Sequence, residues 1–238
     1  AGMKLLVMGG LSTGFLVMGI AWFYAASGTT EFSRILLQQA GKPASPALLL
    51  AAGLVLTGLG FKIAAVPFHA WAPDVYEGAP MPTTSFLAVA SKAAGFVLLV
   101  RIFGLGALAL ESVAEVFRPI LLTMGIATVT LGTLAALPQR NLKRLLAYSG
   151  IAHAGYMLLA LGTLGEAGMG TVIGYLCAYL LATLPILIFL NEVERIYQSS
   201  DVRHLDGLGR RDPGVALGVT LCFLSMAGLP PLLGFCAK

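Results

Sequence analysis

The stretch TSFLAVASKAAGFVLLV, residues 84–100, is a long and mostly apolar run that contains a single charged residue, Lys92. A membrane-spanning helix needs about 20 predominantly apolar residues. The run is too long for a strand and lacks the period-2 alternation that a half-buried strand shows. Because backbone N–H groups in hydrocarbon must bond within their own segment, the run predicts a transmembrane helix with a lysine near its middle.

The composition of the whole chain agrees with this prediction. Of its 238 residues, 58% are hydrophobic and 11% are charged, whereas a soluble domain carries roughly 25% charged residues. The net charge is only +4, and the mean hydropathy is +0.87. The basic residues lie in short clusters between apolar runs, which is typical of membrane orientation and not of nucleic-acid binding.

The apolar runs predict an all-α polytopic membrane protein with about seven spans. We place these spans at roughly 3–26, 47–70, 83–102, 114–137, 142–163, 169–191 and 213–237. Seven spans put alternate connections on opposite sides of the membrane. One side then holds Lys4, Arg140, Lys143, Arg144, Arg195, Arg203, Arg210 and Arg211, and the other holds Arg34, Lys42, Arg101 and Arg118. The excess on the first side predicts that residue 1 is cytoplasmic.

The cysteines and the chain ends carry less information. Cys177, Cys222 and Cys236 all lie in apolar runs without a CxxC or Cys/His pattern, so neither a disulfide framework nor a metal site is predicted. The chain has no initiator Met and stops at Lys238 directly after an apolar run. We therefore expect it to be part of a longer protein.

Three lysines lie where a membrane protein rarely tolerates them. Lys62 and Lys92 fall inside predicted spans, and Lys238 follows the last one. A cation at mid-membrane costs about 3 kcal/mol on insertion scales, so such residues usually face water, a partner or a pathway. Lys62 and Lys92 could instead snorkel from tilted helices, and Lys238 could be an interfacial lysine. Because burial penalises the charged form of lysine, a row of buried lysines joined by water can accept and release protons.

His69 and Pro67 strengthen the hypothesis of a proton path near Lys62. If the helix continued, His69 would lie two turns beyond Lys62, about 10 Å along the axis and on nearly the same face. Histidine titrates near neutral pH and relays protons through its two nitrogens. Pro67 clashes with the carbonyl of Ile63 and frees it beside Lys62. The alternatives are an interfacial histidine at the span end and an ordinary packing kink.

The last span also contains prolines near a lysine, and the span 142–163 also contains a histidine. Pro230 and Pro231 disturb the last span before Lys238, and paired interrupted helices indicate an inverted-repeat transporter. His153 lies deep in its span near Tyr156, either as an interhelical hydrogen-bonding group or as a relay member. Small residues recur at the spacing of close helix packing, including Gly170 and Gly174.

Three motifs resemble one family. Residues 60–95, GFKIAAVPFHAWAPDVYEGAPMPTTSFLAVASKAAG, are similar to the core of the antiporter-like membrane subunits of respiratory complex I, and PDVYEGAP (73–80) resembles the N type. RNLKRLLAYSGIAHAGYMLLAL (140–161) and SMAGLPPLLGFCAK (225–238) resemble the same family in the same order. The resemblance implies a 14-helix fold with inverted repeats and two discontinuous helices, of which 1–238 is one proton-translocating transmembrane domain without its upstream and downstream helices.

The resemblance also implies roles for individual residues. Lys62 and Lys238 resemble the lysines of the two broken helices, and Lys92 resembles the central lysine between the half-channels. His69 and His153 fall on relay histidines of the family. Two departures stand out: the family's buried glutamate would lie upstream of Ala1, and Ala237 replaces a usual glycine.

The resemblance therefore implies a proton-translocating subunit of a bacterial inner-membrane NADH:quinone oxidoreductase, a translocase in which this chain performs no redox chemistry. No cofactor is expected in this chain, while FMN, iron–sulfur clusters and quinone are expected in partner subunits. The partners are other membrane subunits of the complex and the lipid bilayer. The alternatives are a Na⁺/H⁺ antiporter or membrane-hydrogenase subunit of the same superfamily, and a passive scaffold.

Overall fold

A computed structural model describes residues 1–39, 42–104, 111–230 and 234. The regular elements in these ranges are helices, joined at one point by an isolated β-bridge between Asn141 and Asp201. We number the helices α1 (Gly2–Ser27), α2 (Phe32–Gln39), α3 (Pro46–Lys62), α4 (Ala72–Gly78), α5 (Met81–Gly104), α6 (Glu111–Ala136), α7 (Leu142–Gly162), α8 (Glu166–Tyr197), α9 (Leu208–Arg211) and α10 (Pro213–Ala227). Two 3₁₀ segments, Phe68–Trp71 and Val202–Leu205, join them.

Five of these helices are long and apolar enough to cross a membrane, counting only the part of the chain that the structure describes. They are α1, α5, α6, α7 and α8. The predicted spans 47–70 and 213–237 correspond to shorter apolar helices, α3 with 17 residues and α10 with 15. The all-helical membrane fold is confirmed, but the count of about seven spans is not, because α3 ends at Lys62, well before residue 70, and α10 ends at Ala227.

Three of the helices begin where the sequence supplies caps. The Ser45 hydroxyl accepts a hydrogen bond from the Leu48 N–H, and Pro46 occupies the first turn of α3. The side chain of Asn141 caps α7 in the same way, and Asp212 caps α10. Such caps satisfy N–H groups that have no partner within the helix.

The chain between α3 and the 3₁₀ segment that precedes α4 is not helical. Ala64 has a φ of 58°, and the Val66–Pro67 peptide is cis. Side chains bond to the backbone at this break. The Trp71 indole Nε1 donates to the Phe61 carbonyl at 2.9 Å, which also accepts from the Ala64 N–H at 3.0 Å, and the Val66 N–H donates to Thr128 Oγ1 at 3.0 Å. The expectation that Lys62 and His69 share one continuous helical face is therefore wrong, because Lys62 is the last residue of α3.

Helices α6 and α7 pack with their backbones close together. A Cβ on Gly155 would lie 2.6 Å from the Val129 backbone nitrogen, and a Cβ on Gly132 would lie equally close to that of Ala152. By contrast, Gly170 and Gly174 on α8 have no described atom within 4 Å of a Cβ position. Close helix packing thus occurs at the glycines of α6 and α7, while the glycine pair of α8 meets no helix among the described residues.

The close contact between α6 and α7 predicts that Gly155→Ala destabilises the full-length protein. The added methyl group meets backbone atoms that cannot move aside, and overpacking of this kind costs about 1–3 kcal/mol. Thermal unfolding in detergent measures the effect, with Gly174→Ala as the matched control in an open position. Equal melting temperatures for the two variants would contradict the prediction.

The hydrogen bond at the break predicts that Thr128→Val is destabilising by about 1–3 kcal/mol, because it leaves the Val66 N–H without a partner. Thr130→Val is the control. Both hydroxyls donate to the carbonyl four residues back, but Thr130 is exposed and only Thr128 also accepts from the break. Denaturant or thermal unfolding should therefore separate the two variants, and similar stabilities would show that the break does not depend on Thr128.

Candidate functional site

Lys92 is buried near the middle of α5, with only 3% of its surface exposed. A π-helical turn, Leu87–Ser91, directly precedes it, and such turns are frequent at functional sites. Its ammonium group donates to the Gly150 carbonyl of α7 at 2.5 Å and lies 5.2 Å from the centroid of the Tyr179 ring of α8. Within the described residues, no carboxylate forms an ion pair with Lys92.

The absence of a side chain at Gly150 makes this contact possible. A Cβ at this position would lie 2.8 Å from Lys92 Nζ and 3.2 Å from the Tyr179 hydroxyl. Both groups therefore surround the same point on α7, and any side chain at residue 150 would push at least one of them away.

His153 lies one turn beyond Gly150 on α7 and is 6% exposed. Its Nδ1 is 2.6 Å from the Tyr175 hydroxyl, and its ring centroid is 5.2 Å from that of Tyr179 and 6.4 Å from that of Tyr156. Sequence reasoning found Tyr156 but missed the two tyrosines of α8. Their signal was the spacing of four residues, which places both on one helical face.

Lys62 lies at the carboxyl end of α3, and its side chain is exposed. It lines a cavity of about 480 Å³ together with Ser12, Thr13, Trp71 and Ser91. Leu87 and Ser91 of α5 also line this cavity, so it lies between Lys62 and α5. Lys92 is not among the residues that line it, and the described residues show no direct contact between Lys62 and Lys92.

His69 lies beyond the break, in the 3₁₀ segment Phe68–Trp71. Its buried Nδ1 has no hydrogen-bond partner in the described part of the chain, and no described contact joins it to Lys62 or Lys92. Pro67 lies in the break, and Pro230 is an exposed residue after α10. Lys238 and Pro231 lie outside the described residues. The proposed roles of all these residues stay predictions.

A network of charged side chains joins three helices at one end of the bundle. Asp74 of α4 accepts hydrogen bonds from Lys4 of α1 at 2.5 Å and from Arg144 of α7 at 3.2 Å, and Arg144 also pairs with Glu77 at 2.7 Å. Lys4 is the main cause of a lowered pKa for the Asp74 carboxyl. Sequence reasoning used Asp74 and Glu77 only as part of a family signature and missed these partners.

Lys143 is, besides Lys92, a second buried lysine. It lies at the same end of the bundle as the charged network. Its Nζ donates to Glu194 of α8 at 2.6 Å and to the Ala79 carbonyl at 3.0 Å, and its side chain is 3% exposed. These contacts put the ends of α1, α4, α7 and α8 together, as the predicted alternation of connections requires. Throughout the described ranges, no group of three or more histidine, cysteine or acidic side chains is placed to hold a metal ion.

Comparisons with known proteins identify relatives over the whole chain. The family described as NADH:quinone oxidoreductase/Mrp antiporter, TM, matches residues 1–238. NADH-quinone oxidoreductase subunit N of Desulforamulus reducens and that of Moorella thermoacetica are each 42% identical over 238 residues. These matches cover 100% of this chain and 49% of each relative, so the chain spans about half the length of the curated relatives it matches.

Solved structures show the same fold. A chain of respiratory complex I from Thermus thermophilus with bound aureothin has a TM-score of 0.78 and 39% identity, covering 99% of this chain and 49% of that one. A chain of an archaeal membrane-bound sulfane sulfur reductase has a TM-score of 0.88 at 26% identity, covering 99% and 48%. A chain of the Mrp complex from Dietzia sp. has a TM-score of 0.88 at 23% identity, covering 99% and 43%, and it supports the fold alone.

The charged network predicts a stability that depends on acid pH. Because the pKa of Asp74 is lowered on folding, its stabilising effect is present above the unfolded value, near 3.8, and is lost as the pH falls through the folded value. We expect Asp74→Asn to lower the melting temperature at pH 7 and to weaken its fall below about pH 4. Thermal unfolding between pH 3 and 7 measures both effects. The control is Asp206→Asn in the exposed connection, and an identical pH profile for both variants would contradict the prediction.

Proposed function

We propose that this chain, which belongs to the NADH:quinone oxidoreductase/Mrp antiporter transmembrane family, is the proton-translocating core of a subunit N of NADH–quinone oxidoreductase. The relatives that match it over its full length carry that name. In this proposal the chain works in a bacterial inner membrane among other membrane subunits. Electron transfer in partner subunits, which hold the cofactors, drives the proton movement.

The observation that carries the proposal is the chemistry around Lys92. A buried lysine that serves only structure is expected to have a carboxylate partner, as Lys143 has in Glu194 at 2.6 Å. Lys92 is equally buried, but its recorded partners are a neutral carbonyl and a neutral ring. A carbonyl and an aromatic face stabilise an ammonium group less than a carboxylate does. Lys92 can therefore release its proton without leaving a buried carboxylate unpaired.

Two features near Lys92 offer routes for a proton. The cavity at Lys62 reaches Ser91 on one side, and His153 lies beyond Tyr179 on the other. Water in the cavity and titratable side chains of this kind form the relay that vectorial transport needs. In the proposal, Lys62, Lys92 and His153 are consecutive proton-holding groups, and His69 and Lys238 extend the path. Lys92 and His153 have a described neighbour in common, Tyr179.

The proposal predicts that Lys92→Met abolishes proton pumping. Methionine keeps an unbranched, flexible side chain of similar length but cannot bind a proton, so we expect at least a tenfold loss, as for other acid–base groups. The variant is made in the full-length subunit, assembled in its complex and reconstituted into vesicles, where protons moved per NADH oxidised are measured.

Lys42→Met is the control for this experiment, because Lys42 is an exposed lysine in the connection between α2 and α3. Full pumping by an assembled Lys92→Met complex would refute the relay and favour a passive scaffold. A sodium gradient applied to the same vesicles without NADH tests the antiporter alternative, which requires sodium-driven proton exchange that is lost with Lys92.

A further inference from the structure

Tyr179 of α8 is a neighbour of both proton-holding groups of the described site. Its side chain is buried, with 4% exposed. The Lys92 ammonium lies 5.2 Å from the centroid of the Tyr179 ring, and the centroid of the His153 ring lies 5.2 Å from the same point. Tyr179 is therefore placed to take part in a proton transfer between Lys92 and His153.

The Tyr179 hydroxyl makes a long hydrogen bond to α5. It donates to the Ala88 carbonyl at 3.4 Å, which is long for an O–H···O hydrogen bond. The same hydroxyl lies 3.2 Å from the Cβ position of Gly150, and Lys92 Nζ lies 2.8 Å from that position. Because a phenol both donates and accepts, its oxygen can accept a proton from Lys92 while its own hydrogen is given to another acceptor.

A small cavity lies beside Tyr179. It has a volume of about 10 Å³ and is lined by residues that include His153, Tyr175, Tyr179 and Ser225. This is about the minimum for one water molecule, and the polar atoms of the lining provide the partners that a buried water needs. One water at this point would connect the Tyr179 hydroxyl with the histidine.

We propose that the Tyr179 hydroxyl passes the proton between Lys92 and His153. This step rests on the proposed function. The Lys92 ammonium gives one proton to the phenol oxygen, the phenol gives its original hydrogen to the cavity water, and the water gives one of its protons to the imidazole. Lys92 ends neutral, His153 ends protonated, and the phenol and the water end unchanged after the hydroxyl rotates back. The reverse sequence returns the proton.

Gly150 has a specific part in this step as a positioning residue. It leaves open the space that Lys92 Nζ and the Tyr179 hydroxyl both approach, since a Cβ there would lie 2.8 Å from the first and 3.2 Å from the second. Its carbonyl also holds the ammonium at 2.5 Å. The lysine is thus kept next to the phenol without a carboxylate that would retain its proton.

The first test is Tyr179→Phe in the full-length subunit within its assembled, reconstituted complex. The substitution keeps the ring and its contact with the ammonium but removes the hydroxyl. We expect proton pumping per NADH oxidised to fall at least tenfold. Tyr24→Phe is the control, because Tyr24 is 55% exposed on α1. Full pumping by Tyr179→Phe overturns the proposal.

Lys92→Met in the same assay separates this proposal from the function on which it rests. If Lys92→Met abolishes pumping and Tyr179→Phe does not, only the role of Tyr179 is wrong. If Lys92→Met pumps normally, the proposed function itself is wrong.

A second variant covers the case in which Tyr179→Phe does not assemble. Site-specific 3-fluorotyrosine at position 179 has nearly the same size but is a more acidic phenol. A relay through the hydroxyl predicts a shifted pH profile of the pumping rate, whereas a structural role does not. An unchanged profile overturns the proposal, and the same analogue at position 24 is the control.

Discussion

Hydrocarbon offers no hydrogen-bond partners, and this constraint determines how the chain forms the break after α3. Thr128 supplies the acceptor that the Val66 N–H would otherwise lack, and the Phe61 carbonyl accepts from both the Trp71 indole and the Ala64 N–H. An unsatisfied backbone group in the membrane costs several kcal/mol. The break in turn ends α3 at Lys62 and opens that lysine toward the cavity beside α5. The position of a charged group thus depends on neutral hydrogen bonds made by two other elements.

The two buried lysines differ in the kind of group that each one contacts. Lys143 has a carboxylate, a carbonyl and a place at the end of the bundle, where it joins α7 to α8. Lys92 has a carbonyl and an aromatic ring in the interior. Burial alone therefore does not distinguish these two lysines. The kind of partner does, because a full negative charge holds the proton and a dipole holds it less firmly.

The sequence predicted the apolar helices, their place in a membrane and a lysine, Lys92, inside one of them, because apolar run length and an isolated charge are local properties. It did not predict that α3 stops at Lys62, since that depends on Thr128, which is distant in sequence. It also missed Tyr175 and Tyr179, because aromatic residues in an apolar helix look alike until the neighbouring helix is placed. Asp74 and Glu77 were recognised as part of a motif, but their partner Arg144 belongs to a different motif, and only the fold brings the two together.

The charged network at the end of the bundle has a consequence for biogenesis. Lys4 and Asp74 are 70 residues apart, and Arg144 follows Asp74 by another 70. The first pair can form as soon as α4 has been synthesised. Asp74 acquires its second cation, and Glu77 its described partner, only when α7 enters the membrane with its amino-terminal end on the same side. An α7 inserted in the opposite direction would leave Glu77 without Arg144. The complete network therefore forms only when α1, α4 and α7 have the relative orientation seen in the fold.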